Sequence, residues 1–167
     1  MLLGRRYLFM KRSLLFLLLG LFVPALCGQS TVFIVRHAEK AKSEGNDPEL
    51  SEAGRVRAEA LAKMLSNSEI TTIYATEFKR TQETATPLAK AFGVNVSIVP
   101  SKNTAELASK LRNQNGNALV VGHGNTIPDL IKTLGINTPI NIAEGDYDNL
   151  FIVVLDEKPR FIRLHYP

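Results

Sequence analysis

The sequence predicts a three-layer α/β/α sandwich around a mostly parallel mixed sheet, closed by a C-terminal antiparallel hairpin. Apolar runs rich in Val, Ile and Leu alternate with helical patterns along the chain, as expected when helices cover both faces of a parallel sheet. Two of these runs, 31–35 and 117–121, lead directly into histidine motifs. The last two, 149–155 and 160–165, flank a four-residue turn and therefore predict a hairpin.

The first 28 residues have the pattern of a signal peptide. Basic residues at positions 5, 6, 11 and 12 precede an uncharged apolar run of 13 residues from Leu14 to Leu26, which is shorter than the ~20 residues that span a bilayer as a helix. Ala25 and Cys27 fit a small-residue cleavage site. We therefore expect a mature domain of residues 29–167 that is periplasmic or extracellular. It would stay on the membrane only if the leader is retained or is lipidated at Cys27.

Removal of residues 1–28 changes the charge balance. The whole chain carries 20 Lys and Arg against 16 Asp and Glu, whereas the leader holds four basic residues and no acidic one. The remaining domain is therefore formally neutral, which argues against a broad nucleic-acid footprint and leaves anion binding to a focused site. Cys27 is the single cysteine, so the mature domain forms no disulfide.

Four strand and helix signals alternate through the mature chain. The strands are predicted at 31–35, 70–75, 94–99 and 117–121, and the helices at about 52–66, from a first turn around Arg80 to Phe92, at 103–113 and from Pro128 to Gly135. Ser51 is a suitable N-cap for the first helix, and Gly93 ends the second. Pro87 predicts a kink or a break in that second helix. Asn103 and Glu106 are spaced as a capping box, and residues 41–49 form a polar loop.

Side chains suited to phosphate chemistry follow three of the predicted strands. Arg36 and His37 end the first strand, Arg80 follows the second, and His123 follows the fourth. Ligands of open α/β sheets collect beyond the carboxyl ends of strands, so we expect these side chains to converge. Arginine forks match phosphate oxygens, and an unprotonated histidine nitrogen can attack phosphorus. The histidines lack the close ligand spacing of a metal site, so we expect neither a metal ion nor a cofactor.

Three motifs resemble those of the histidine phosphatase superfamily, the phosphoglycerate-mutase-like proteins. Residues 36–39 resemble its Arg-His-Gly-Glu signature, with Ala38 in place of the glycine. Residues 76–85 resemble the segment around its second arginine, and residues 122–124 resemble its second histidine motif. The order and separation of the motifs match as well. Together with the helix start at 50–54, the resemblance covers almost the whole mature chain and implies a short, exported member of this family.

The resemblance also implies a role for each matching residue. His37 would be the nucleophile that becomes phosphohistidine, Arg36 and Arg80 would bind the phosphate, and His123 would donate to a phosphate oxygen and stabilise the transferring group. The substrate-binding residues implied in this way are Arg36, Arg80, His123, Gly124 and Asn125.

The general acid that protonates the leaving oxygen is left open by the sequence. Glu106 lies about where the family has this group, but it also fits a capping box. Glu39 is the rival candidate because it is closer to the nucleophile in sequence. Asp47 and Glu144 could reach the site from loops.

Three functions are compatible with these residues, and the partner that we expect is a small phosphorylated substrate. The main expectation is an exported phosphatase that acts on a phosphomonoester or on a phosphorylated envelope component. A protein phosphohistidine phosphatase is the second, since imidazole leaves without a strong acid, although the usual targets of such enzymes are cytoplasmic. The third is a phosphate-binding module without turnover. A phosphoglycerate mutase is disfavoured, because the long insertion expected over its site is absent from this sequence.

Overall fold

The computed structural model describes residues 29–42 and 45–167. The predicted leader at 1–28, with its cleavage site and Cys27, lies outside the described residues. Within the described part, no helix has both the length and the apolar character needed to cross a membrane.

Strands and helices alternate along the described chain. The strands are β1 (Ser30–Arg36), β2 (Ile70–Ala75), β3 (Val96–Ile98), β4 (Asn117–Gly122), β5 (Asn149–Leu155) and β6 (Arg160–His165). The helices are α1 (Glu52–Met64), α2 (Lys79–Phe92), α3 (Thr104–Asn113) and α4 (Ile127–Thr133).

The strands form one mixed sheet in the order β3-β2-β4-β1-β5-β6. The strands β1 to β4 pair in parallel, whereas β5 runs antiparallel to β1, and β6 runs antiparallel to β5. The predicted α/β class and C-terminal hairpin are therefore confirmed. In the register of β1 and β4, Arg36 lies opposite Gly122. The two strand ends that carry the histidine motifs are consequently neighbours at the centre of the sheet.

Helices cover both faces of this sheet. Val35 and Leu119 pack with α1 and α2 on one face, and Val32 and Val120 pack with α3 and α4 on the other. Successive residues of a strand point to opposite faces. Both faces are buried, which explains why the central strands are continuous apolar runs instead of alternating ones.

Helix α1 lies directly against the chain that leaves β1. The hydroxyl of Ser51 accepts a hydrogen bond from the backbone N–H of Gly54 at 3.1 Å, so the predicted N-cap is present. A Cβ atom at Gly54 would collide with the backbone carbonyl of Glu39. Glycine at this position therefore permits a close approach that fixes the segment following His37.

Pro87 does not break α2, so this part of the prediction was wrong. The helix is continuous from Lys79 to Phe92. Proline removes only one backbone donor, while buried Thr84 and Leu88, on either side of Pro87, hold the helix on the sheet. Gly93 ends the helix with a φ of 65°, as predicted.

The edge of the sheet also differs from the prediction. β3 contains only residues 96–98 because it pairs with β2 alone, along the last three residues of that strand. Asn103 precedes α3 as predicted, but its side chain makes no capping bond to the backbone. Its amide donates instead to the Glu106 carboxylate at 3.0 Å.

Candidate active site

Four of the side chains singled out in the sequence meet at the carboxyl edge of the sheet. A cavity of about 370 Å³ is lined by Arg36, His37, Arg80, His123, Gly124, Asn125, Ile142 and Glu144. The two imidazole rings stand edge to face with their centroids 5.4 Å apart. The volume is within the usual range for small-molecule sites. The expected convergence of these residues is therefore present.

The His37 ring is held with one nitrogen open to the cavity. Its Nδ1 atom lies 2.8 Å from the carbonyl oxygen of Ala38. A carbonyl can only accept, so Nδ1 carries the proton of the neutral ring and Nε2 carries the lone pair. Nε2 has no partner in the described chain and is not among its enclosed, unpartnered polar atoms. It is therefore open to the cavity.

The surroundings of His37 keep the ring neutral. Burial lowers the pKa of His37 to about 4, and the positive charges of Arg80 and Arg36 act in the same direction, against the hydrogen bond to Ala38. At neutral pH the ring therefore has a free lone pair, which is the state that a nucleophile needs.

His123 is also buried and neutral, but its ring is held by a side chain. Burial and then Arg80 lower the pKa of His123 to about 4, whereas the Glu77 carboxylate opposes the shift. Nε2 lies 2.9 Å from the hydroxyl oxygen of Thr76. The Phe78 ring packs against the imidazole at right angles, with centroids 5.3 Å apart. These contacts leave Nδ1 as the nitrogen without a partner in the described chain.

Arg36 is fixed by the loop before β5. Its Nη1 atom donates to the backbone carbonyls of Ala143 and Glu144 at 2.8 and 2.7 Å. Its guanidinium lies over the Tyr147 ring, 4.4 Å from the centroid. Its Nε atom is buried and has no partner among the described residues. A buried N–H without a partner is costly, so this enclosed atom is a local cost of holding Arg36, and the charge of the guanidinium is what the cavity offers to an anion.

Arg80 is fixed by contacts closer in sequence. Its guanidinium lies over the Phe78 ring, 4.3 Å from the centroid, and one nitrogen is 3.9 Å from the Asp47 carboxylate. The side chain is only 15% exposed. Two permanently charged forks therefore line one cavity, an arrangement that can bind a phosphoryl group.

Three buried threonines connect α2 to both histidine segments. The hydroxyl of Thr84 accepts from the backbone N–H of Ala38 at 2.9 Å and donates to the Arg80 carbonyl at 2.7 Å. The hydroxyls of Thr76 and Thr81 are 2.9 Å apart. Sequence reasoning noted the segment 76–85 but gave these residues no role. Their clustering around the second arginine was the available signal.

Two of the carboxylates considered as general acids are held in ion pairs. Glu39 binds the guanidinium of Arg57 through both oxygens at 2.8 to 3.0 Å. Burial acts to raise the pKa of Glu39, but the hydrogen bonds from Arg57, a backbone hydrogen bond and the charge of Arg57 together hold this pKa below its ordinary value. Glu106 is exposed on the first turn of α3 and lies 3.3 Å from Lys110. Neither residue lines the cavity.

The other two carboxylates are nearer to the predicted site. Glu144 lines the cavity, and Asp47 lies beside Arg80 and accepts from the Lys79 backbone N–H at 2.9 Å. Within residues 29–42 and 45–167, no group of three or more His, Cys, Asp or Glu side chains is placed to hold a metal ion.

Sequence reasoning missed two aromatic residues at this site. Tyr147 lies 6.0 Å from His37, measured between ring centroids, and lines an adjoining cavity of about 570 Å³. Phe78 packs against both Arg80 and His123. A lone aromatic residue in a polar loop, or one just before a helix, is too common to mark a site. Only the fold reveals that these two rings flank it.

Comparison with known proteins agrees with this geometry. Residues 32–108, which include Arg36, His37 and Arg80, match the histidine phosphatase superfamily (branch 1). A segment of 74 residues is 39% identical to phosphoserine phosphatase 1 of Hydrogenobacter thermophilus and covers 39% of this chain and 34% of that protein. The chain therefore matches about a third of the length of that relative.

Solved structures extend the likeness over most of the chain. The protein histidine phosphatase SixA in complex with tungstate shares the fold with a TM-score of 0.68 and 19% identity, over 81% of this chain and 96% of that one. A mycobacterial glucosyl-3-phosphoglycerate phosphatase does so with a TM-score of 0.61 and 16% identity, over 81% and 97%. At such identities the likeness establishes the fold alone. Residues 32–108 are therefore similar to the histidine phosphatase superfamily, and the chain shares the fold of solved histidine phosphatases.

Proposed function

We propose that the protein is a metal-independent phosphatase that hydrolyses phosphomonoesters through a phosphohistidine on His37. The observation that carries the proposal is the open Nε2 of a neutral His37 in a cavity shared with two arginines. The match of residues 32–108 to the histidine phosphatase superfamily and the phosphatases among the similar proteins support it.

The reaction divides into two displacements at phosphorus. In the first, the lone pair of His37 Nε2 forms a bond to phosphorus, the ester P–O bond breaks, and the leaving oxygen takes a proton. In the second, water attacks the phosphohistidine and gives a proton to the carboxylate that protonated the leaving oxygen, the P–N bond breaks, and phosphate leaves while the ring returns to neutrality. Arg36, Arg80 and His123 stabilise the negative charge on the three equatorial oxygens in both steps.

A second candidate is hydrolysis of phosphohistidine, and the placement of the carboxylates favours it. Glu39 and Glu106 are paired with cations and do not line the cavity. Imidazole is a better leaving group than an alkoxide and needs less help from a general acid. For phosphomonoesters, we assign the protonation of the leaving oxygen to Glu144, the carboxylate that lines the cavity.

One set of assays tests these assignments. The purified protein is incubated with a chromogenic phosphomonoester and with phosphohistidine, in the presence and absence of EDTA. We expect turnover of the phosphomonoester that EDTA does not change and that H37A abolishes. The control is H165A, because His165 is exposed on β6 and pairs with Asp148, away from the cavity lining.

Each other result selects a different function. Turnover of phosphohistidine alone supports the second candidate. Binding of inorganic phosphate without turnover indicates a phosphate-binding module. Loss of activity in EDTA contradicts metal independence.

We also propose that residues 1–28 direct export of the domain at 29–167. The exported domain would act on a small phosphorylated substrate outside the cytoplasm. The basic start and the short apolar run of this segment support the proposal. Cell fractionation and sequencing of the mature N-terminus test it. Recovery from the cytoplasm with Met1 retained would contradict it.

A further inference from the structure

The hydroxyl groups of Thr76 and Thr81 form a short chain that ends at His123. The Thr76 oxygen lies 2.9 Å from both the Thr81 hydroxyl and His123 Nε2. Both threonines are buried. A hydroxyl has one proton to donate, and it rotates to suit its partners. Thr76 can therefore donate to only one of its two neighbours at a time.

This restriction leaves two arrangements of protons for the neutral imidazole. In one, His123 donates its Nε2 proton to Thr76, and Thr76 donates to Thr81. In the other, Thr81 donates to Thr76, and Thr76 donates to Nε2. The first arrangement places a lone pair on Nδ1, and the second places a proton there.

The first arrangement fits the protein without an anion. Thr81 then donates to the Phe78 carbonyl, at 2.7 Å its shortest contact. Nδ1 carries the lone pair, is not among the enclosed, unpartnered polar atoms, and belongs to a ring that lines the cavity together with Arg36 and Arg80. A phosphate oxygen in the same place would meet that lone pair and be repelled. The second arrangement presents an N–H donor to the oxygen instead.

We propose that Thr76 is a positioning residue that donates its hydroxyl proton to His123 Nε2 when an anion binds, and so holds the neutral ring with its proton on Nδ1. The inference rests on the proposed function in one respect: the Nδ1 proton of His123 would be the one that is donated to the phosphoryl oxygen. Its geometric basis is independent of turnover.

The alternative is protonation of His123 on binding. Burial and the neighbouring arginines lower the pKa of this ring to about 4, so protonation at pH 7 works against its surroundings. With the hydroxyl chain, a phosphate binds without proton uptake from the solvent. The two hydroxyls rotate, and one ring proton exchanges between the two nitrogens through water.

The decisive measurement is a ¹⁵N spectrum of the two ring nitrogens of His123 in the full chain, at pH 7, with inorganic phosphate as the probe. We expect a protonated Nδ1 and an unprotonated Nε2. Calorimetry of phosphate binding in buffers of different ionisation enthalpy should show no net proton uptake. A doubly protonated ring in the bound wild type would overturn the proposal.

Variants of Thr76 separate the effect of its hydroxyl group from the effect of its side-chain volume. T76V keeps the shape of the side chain, and we expect roughly tenfold weaker phosphate binding, with proton uptake appearing in the calorimetry. T76S retains the donor and should behave as the wild type. T86V is the matched control, because Thr86 lies on α2 and its hydroxyl bonds only to the Gln82 carbonyl among the described residues.

The outcomes also separate this proposal from the proposed function. A protein that binds phosphate with the expected ring state but hydrolyses nothing refutes the enzyme and leaves the role of Thr76 intact. An active enzyme whose T76V variant binds phosphate without proton uptake refutes the role of Thr76 alone. Should T76V fail to fold, the ring state of the wild type and the binding of T76S still decide the matter.

Discussion

The two arginines of the site are held in different ways. Arg36 is fixed by the loop 143–147, which supplies two backbone carbonyls and an aromatic ring from more than a hundred residues away in sequence. Arg80 lies over Phe78, two residues before it, and near the carboxylate of Asp47. One half of the site therefore depends on a distant loop and the other on short-range contacts.

This difference has an electrostatic consequence. The hydrogen-bond and stacking partners of Arg36 are neutral, so they do not offset its charge. Asp47 lies 3.9 Å from Arg80 and offsets part of its charge. A charge that is already fixed in place needs no reorganisation when the reaction takes place, so it contributes most to catalysis. We therefore expect Arg36 to contribute more than Arg80.

The largest expected effect tests directly whether Arg36 contributes more to catalysis than Arg80. R36K should lower kcat/KM by about 10²–10³, because lysine keeps the charge but loses the fork and the carbonyl anchors. R80K should lower it by only about tenfold. Steady-state kinetics with a chromogenic phosphomonoester measures both. Equal losses in the two variants would show that the distant loop gives Arg36 no advantage.

The two histidines should make the stability of the fold depend on pH. The pKa of each histidine is lowered to about 4, first by burial, and the charge of Arg80 acts on both rings more strongly than that of Arg36. The unfolded chain, with ordinary pKa values near 6.5, then binds more protons between pH 4 and 6.5. The free energy of unfolding should therefore rise with pH through this window and level off above it.

Urea denaturation at a series of pH values measures this slope. The lowered pKa of each histidine corresponds to at most roughly 3 kcal/mol in the free energy of unfolding. The two histidines together contribute less than the sum of their separate values, because the two rings are coupled. H37Q and H123Q should each flatten the curve between pH 4 and 6.5. A curve that is flat in the wild type would mean that these rings are not held neutral by the fold.

The same contrast explains how much of the site could be predicted. His37, His123 and Arg80 follow apolar strands, and parallel strands bring their carboxyl ends to one edge, so their convergence could be inferred from hydrophobic pattern alone. The clamp on Arg36 could not. The acceptors that hold the Arg36 guanidinium are backbone carbonyls of a loop, 137–148, that has no periodicity, and any sequence supplies carbonyls.

The errors in the fold have a related cause. A local rule predicted that Pro87 would interrupt α2, and tertiary packing of its buried residues overrode that rule. Asn103 and Glu106 have the spacing of a capping box, yet their side chains bind each other and Glu106 also pairs with Lys110. Spacing fixes which groups can meet, but competing partners decide which bonds form.

The smallest expected effect concerns the two aromatic rings. Stacking of a guanidinium on an aromatic ring contributes about 0.5–1 kcal/mol at accessible sites and more when it is desolvated. Y147A should therefore raise KM by a few-fold and leave kcat nearly unchanged, since the Arg36 charge stays in place but is less ordered. Y147F keeps the ring and should match the wild type.

F78A is the corresponding variant in the Arg80 half of the site. Its effect on kcat and KM should differ from that of Y147A. Phe78 contacts both Arg80 and the His123 ring, so its removal loosens a phosphate-binding group and a transition-state donor together. We expect kcat to fall by a few-fold along with the rise in KM. If Y147A instead lowers kcat as much as F78A does, Tyr147 acts on the reacting groups themselves, since its ring lies 6.0 Å from that of His37. The separation of the site into a distant clamp and a local one would then fail, because both rings would serve the histidines as directly as they serve the arginines.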